Sequence, residues 1–293
     1  MAAFVVLIAL ACGSEDSAER ERAAFQRGIA NAQANELDAA LADLDIALEI
    51  NPNNPDTIIL YAVLQERLED LDSAAEHLSR ATEIDPTNAD APLHLARVLR
   101  KRELDSRIDI ARQEIINLGA EPARLVAFGD LLRARERFDD AQTHYLWAQR
   151  IAPPDAASHT GLGLVYSNVH REVRALYHLS EALRIDPSNA AAREELVWIL
   201  ATSSHADLSD AQEARRIAEA ALQSGAARST RLLDALAAAY AGSDRFEEAS
   251  QLARSAIAAA QAEGNHIRAH QIRARLRLYE AGKRFVGPPV DPT

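Results

Sequence analysis

The sequence predicts an all-α chain of stacked helix-turn-helix units, and three observations carry that prediction. The first is a recurring code. Leu125, Phe128, Gly129 and Leu132 are followed by Ala141, Tyr145, Ala148 and Pro153. Leu162, Gly163 and Tyr166 are then followed at the same offsets by Ala175, Leu179, Ala182 and Pro187, so that Pro153 and Pro187 stand 34 residues apart. The second is composition: hydrophobic residues make up 48% of the chain and aromatics only 5%, with almost no alternating Val/Ile/Thr runs, which favours helices over strands. The third is punctuation. Pro52, Pro55, Pro86, Pro122, Pro153, Pro154 and Pro187 fall at unit ends, where proline disfavours α geometry in the residue before it.

Each position in the code has a packing reason. A residue with almost no side chain on the first helix (Gly129, Gly163), facing an alanine on the second (Ala141, Ala175), lets the two backbones approach. Tyr145 and Leu179, one turn on, fill the groove that remains. This code at this period resembles the tetratricopeptide repeat (TPR). The resemblance implies a right-handed superhelical solenoid of about seven helix-turn-helix repeats with a C-terminal capping helix, and a concave face, lined mainly by the first helix of each repeat, that holds protein partners.

Taken in order, residues 1–12 (MAAFVVLIALAC) form an apolar run shorter than the ~20 residues a spanning helix needs. It reads as the core of a secretory signal. Ala9-Leu10-Ala11-Cys12 resembles a bacterial lipobox, with Ala9 where leucine is usual and no Lys or Arg ahead of the run. On that resemblance residues 1–11 are a signal peptide, Cys12 is the lipidated residue, and 12–20 are a tether. Gly13 and Ser14 provide no aspartate retention signal, which implies the outer membrane, facing the periplasm. The other reading, an apolar stub on a soluble cytoplasmic regulatory or chaperone-like TPR protein, stays open at this point.

Repeats are expected at about 21–54, 55–88, 122–155, 156–189, 190–229 and 230–263. Gly28, Ala40, Leu44 and Ala47 mark the first, and Ala62, Ala74, Leu78 and Ala81 the second. Ser73 with Glu76 reads as a capping box opening the second helix of that repeat. Residues 89–121 form a degenerate third unit, with Ile108 where alanine is expected. The sixth carries an insertion around 202–209, after which Ser209 with Gln212 is placed to cap the helix that resumes. Ala269, Ile272, Leu276 and Tyr279 share one stripe of a terminal cap at 265–285, and residues 286–293 are expected to be disordered. The resemblance covers about residues 21–285.

The motifs of common enzyme chemistries are missing: no GxxxxGK[ST], HExxH or GxSxG occurs, so no catalytic residue and no cofactor is expected. A net charge of -12 argues against a general nucleic-acid binder. The single cysteine excludes an intrachain disulfide. His266 and His270 have metal-like spacing but no evident third ligand, so no metal is expected. Arg268, Arg273, Arg275, Arg277, Lys283 and Arg284 give the terminal cap a basic face that either meets an anionic surface or is simply solvated.

By repeat register, the positions expected to line the concave face begin with Phe25, Ile29, Ile59 and Val63. Arg97, Arg100 and Lys101 follow, then Asp130, Arg133, Asn168 and Trp198. Arginines beside apolar anchors suit an extended or helical peptide carrying acidic residues, or form an ordinary solvated face. Trp198 fits equally as an anchor or as a core filler. Phe25, Ile29 and Leu60 stand where the chaperone-tail clamp of some TPR proteins needs Lys and Asn, so that specialised role is not expected.

Overall fold

The computed structural model describes residues 2–288, with side chains from residue 16 onward. Fourteen α-helices and no strand occur among the described residues: α1 (Ala2–Gln33), α2 (Leu37–Ile50), α3 (Pro55–Arg67), α4 (Leu71–Ile84), α5 (Asp90–Leu118), α6 (Pro122–Ala134), α7 (Phe138–Ile151), α8 (Ala156–Asn168), α9 (Glu172–Ile185), α10 (Ala190–Thr202), α11 (Ala211–Gln223), α12 (Thr230–Gly242), α13 (Phe246–Ala262) and α14 (His266–Glu280). They form two compact units, the first ending at Arg107 and the second beginning at Ile108.

Local chemistry sets the helix ends. Pro55 opens α3, and the side chain of Asn54 accepts from the backbone N–H of Asp56 and Thr57. Asp155, Asn189, Ser229 and Asn265 cap α8, α10, α12 and α14 in the same way. Two expected caps lie elsewhere. Asp70, not Ser73, caps α4, and Asp210, not Ser209, caps α11. In each case an aspartate stands at the residue where the chain turns into the helix, and its carboxylate accepts the orphan N–H three residues on. Inside the hairpins, the turn from first to second helix passes through one left-handed residue: Asn35, Glu69, Glu136, His170 or Asp244.

The small-residue code does what its spacing predicts. Leu44, Leu78, Tyr145 and Leu179 are fully buried, and so are the alanines Ala40, Ala74, Ala141 and Ala175. Tyr145 shows why two glycines are needed. A Cβ on Gly129 would lie 2.8 Å from its ring, and one on Gly161 would overlap the ring more closely still. The ring cannot swing away without losing the hydrogen bond its hydroxyl donates to Asp130 at 2.7 Å. Adding even a methyl group at Gly161 therefore overpacks the site, at a cost of about 1–3 kcal/mol.

Three expectations change. Residues 16–20, expected as part of a tether, are helical within α1. The third unit is not a helix-turn-helix: α5 is one helix of 29 residues. Glu103, at the position matching Asn35 and Glu69, stays helical, and Ile108 occupies the site where an alanine permits close approach. Ile108 is instead buried in the core of the second unit with Leu125, Phe128 and Tyr145. Ala96 shows the consequence. It is exposed, whereas Gly28, Ala62, Gly129 and Gly163, its counterparts, are all buried. Finally, residues 286–288 of the expected disordered tail are placed, with the Gly287 N–H donating to the Thr202 carbonyl at 2.7 Å. The remainder of that tail, 289–293, lies outside the described residues.

Candidate functional site

In the first unit, α1, α3 and the beginning of α5 carry the sequence-predicted face. Phe25 packs part-buried against Ala40, Leu44 and Leu64. Ile29, Ile59 and Val63 are half-buried. Glu66, only 4% exposed, organises the polar part. Arg97 Nε donates to its carboxylate at 2.8 Å, and Lys101 Nζ lies 2.9 Å away. Burial pushes the Glu66 carboxyl up, but the hydrogen bonds from Arg97 and Lys101 outweigh it and hold the group below the usual glutamate range. Arg97 also lies 2.7 Å from His94 Nδ1. Two members of the expected cationic cluster are thus committed within the fold, and Arg100 remains exposed. Beside them, α4 and the first part of α5 enclose a groove of about 640 Å³ with Leu95 and Leu99 among its lining.

In the second unit, charge contacts join α8, α10, α12 and α14, and α6 carries a pair of its own. On α6, Asp130 accepts from Tyr145 and pairs with Arg133 at 3.4 Å. Ser167 of α8 donates to Glu195 of α10, and Arg231 of α12 pairs with the same carboxylate. Ser229 donates to Glu194 at 2.5 Å. Asp234, 1% exposed on α12, accepts from Arg275 of α14 through both oxygens, at 3.0 and 2.6 Å. Arg268 of α14 lies 3.9 Å from it. Four guanidiniums from three helices thus meet the carboxylates of Asp130, Glu195 and Asp234, with Arg133, Arg231 and Arg268 retaining 28%, 41% and 35% side-chain exposure.

Of the residues predicted for this unit, Asp130 and Arg133 pair with each other on α6. Asn168 is exposed and spends its amide on the Leu164 carbonyl of its own helix, at 2.7 Å. Trp198 is half-buried, with the Arg275 guanidinium 5.1 Å from its ring centre and the Phe285 ring 5.8 Å away. Sequence reasoning missed Glu195, Arg231 and Asp234, and it put Arg275 on the basic face of the cap, whereas Arg275 is buried and bonded to Asp234. One signal was present: Asp234 is the lone charge in the run LLDALAAAY, and a carboxylate inside such a run needs a buried partner.

Among the described residues no group of His, Cys, Asp or Glu could hold a metal. No helix among them is long and apolar enough to cross a membrane. The expected lipidation site, Cys12, lies outside the residues whose side chains are described.

No protein-family model and no curated protein matches the chain. Solved structures do. A chain of the APC/C hetero-tetramer Cut9–Hcn1 aligns at a TM-score of 0.50 and 16% identity, over 83% of this chain and 46% of that one. A tetratricopeptide repeat protein from Parabacteroides merdae aligns at 0.45 and 12% identity, over 87% and 99%. YrrB, a TPR protein described as having an unusual peptide-binding site, aligns at 0.40 and 17%, over 79% and 97%. With the 34-residue hairpins already described, the fold is the all-α TPR fold.

Proposed function

We propose that this chain is a non-enzymatic protein-binding scaffold, that the first-helix face of its second unit grips an extended or helical peptide with acidic residues, and that it works anchored in a bacterial cell envelope through lipid on Cys12. The observation that carries the binding role is the gathering of the partly exposed Arg133, Arg231 and Arg268 onto one face from α6, α12 and α14. Desolvating that many charges is costly, and apolar residues would pack the same helices at least as well. Partly exposed guanidiniums are, by contrast, well suited to carboxylates of a partner, because their donor geometry matches a carboxylate in two bonds at once. In the first unit Arg97 and Lys101 share the single Glu66 carboxylate, and Arg100, Phe25, Ile29, Ile59 and Val63 add to the contact there.

The lipid anchor rests on the Ala9-Leu10-Ala11-Cys12 resemblance, and the outer-membrane, periplasm-facing location on Gly13 and Ser14. Assembly or biogenesis of an envelope complex is the role that such a scaffold would fill. The binding face is tested by crosslinking in native membranes with wild type and with Arg133→Glu combined with Arg268→Glu. The expected result is that crosslinked partners fall by about tenfold, the equivalent of ~1.4 kcal/mol, while the thermal midpoint stays within a few degrees. Unchanged crosslinks would remove the face from the mechanism.

A further inference from the structure

The end of the chain is seated on the second unit in a manner unlike a frayed terminus. Beyond α14, Gly282 takes a left-handed conformation and the Lys283 N–H donates to the Leu278 carbonyl at 2.9 Å, which closes the helix. The following residues alternate. Phe285 and Gly287 are turned toward the protein, whereas Val286, 42% exposed, and Pro288 face out. Phe285 lies against Trp198, with ring centres 5.8 Å apart, and the Arg275 guanidinium is within 5.5 Å of its ring. The Gly287 N–H donates to the Thr202 carbonyl at 2.7 Å. The Pro288 carbonyl accepts from Ser204 Oγ at 3.3 Å.

The surface under this segment has two properties of a binding site. It is braced independently of the tail, because Arg275 is held in place by both oxygens of the buried Asp234. It also presents a main-chain acceptor: Thr202 is the last residue of α10, and carbonyls at a helix end have no partner within the helix. The fit is selective in side-chain size. A Cβ on Gly287 would lie 3.3 Å from the Thr202 oxygen, a tight contact that favours glycine, and the following Pro288 disfavours α geometry at Gly287. The aromatic and the glycine are therefore each met by a separate feature, the Trp198 and Arg275 faces and the Thr202 carbonyl, while the spacer faces solvent and the proline restricts the backbone ahead of it.

We infer that Trp198, Arg275 and Thr202 form a subsite for an extended peptide segment of the pattern aromatic-X-Gly-Pro, and that residues 285–288 occupy it in cis as a displaceable strap. This rests on the reading of the unit as a peptide-binding scaffold and adds a sequence preference and a built-in competitor to it. A segment joined to its site by a short linker acts at an effective concentration of about 1 mM, so a free peptide gains access only when the strap is weakened or when other contacts on the face add affinity.

The test uses the full chain and a fluorescently labelled synthetic peptide carrying residues 283–293, read by anisotropy. Wild type should bind it weakly. Phe285→Ala, which frees the site, should bind at least about tenfold more tightly, and Gly287→Ala, which presses on the Thr202 carbonyl without touching the aromatic platform, should do the same. Adding Trp198→Ala to either variant, or replacing the phenylalanine of the peptide with alanine, should abolish the gain. Circular dichroism of each variant establishes that the helices are intact. Equal binding by wild type and both strap variants, or a gain that survives loss of Trp198, would overturn the inference. Either result together with normal crosslinking by the Arg133 and Arg268 face would leave the scaffold reading standing.

Discussion

At the scale of single residues, the histidine pair His159 and His178 ties the fold of the second unit to pH. Their Nδ1 atoms are 3.0 Å apart, a distance that works only if one ring donates and the other accepts, so at least one is neutral. His178 is stacked on Tyr166, with centroids 5.4 Å apart. Burial, then the charge of His159, lowers the His178 pKa to about 4, against a partial pull upward from Glu181. Burial lowers His159 as well, opposed by Glu181 and Asp155. The sign follows from linkage. The folded state binds protons less readily than the unfolded chain, so the stabilisation is fully present above about pH 6.5 and is lost as the pH falls from there toward 4. Because His178 is only half-buried, its share is discounted to about 1–2 kcal/mol. The expected outcome is that the urea midpoint falls as the pH drops from 7 to 4.5, and that His178→Gln flattens this fall. A wild-type midpoint constant over that range would contradict the account.

At the scale of elements, most helices were legible in the sequence because their determinants are local. Glycine or alanine opposite alanine, with proline at the unit end, is a pattern of residue sizes, and the buried Ala40, Ala74, Ala141 and Ala175 follow from it directly. Caps were legible less well: Ser73 and Ser209 have the right chemistry, but Asp70 and Asp210 occupy the turn itself. The charge contacts of Glu195, Arg231 and Asp234 join residues 36 to 41 positions apart, and no local pattern records which carboxylate meets which guanidinium. The third unit is the clearest miss. Its apolar spacing was read correctly, but spacing alone does not say whether a chain turns back: Glu69 and Glu136 are left-handed where Glu103, at the matching position, stays helical, and what sets this unit apart is Ile108 in place of the alanine that permits close approach. This has a direct test. Cys12 is the only cysteine, so a Cys12→Ser background allows spin labels at Leu93 and Ile116, which are 51% and 67% exposed. A continuous helix sets the labels roughly 35 Å apart, from 1.5 Å rise per residue. A pulsed dipolar distance below about 20 Å would mean that the unit folds back as a hairpin instead.

At the scale of the whole molecule, the proposed attachment turns on one atom. No described helix can cross a bilayer, and a net charge of -12 gives no general attraction to an anionic membrane surface. The proposed anchor is the Cys12 sulfur, through the lipid it would carry. Each buried CH₂ contributes ~0.8 kcal/mol, so two or more acyl chains hold a protein of this size stably at a membrane, while the apolar run 1–11 would leave with the cleaved signal. The helical course of residues 16–20 within α1 bears on the proposal, since a helix advances only ~1.5 Å per residue and a lipid on Cys12 would hold the first hairpin close to the bilayer. Detergent phase partitioning of wild type and Cys12→Ser from expressing cells separates the alternatives. Wild type in the detergent phase with the variant in the aqueous phase is the expected outcome. Both forms in the aqueous phase would make this a soluble scaffold, and both in the detergent phase would shift the anchor from the cysteine to the apolar run that precedes it.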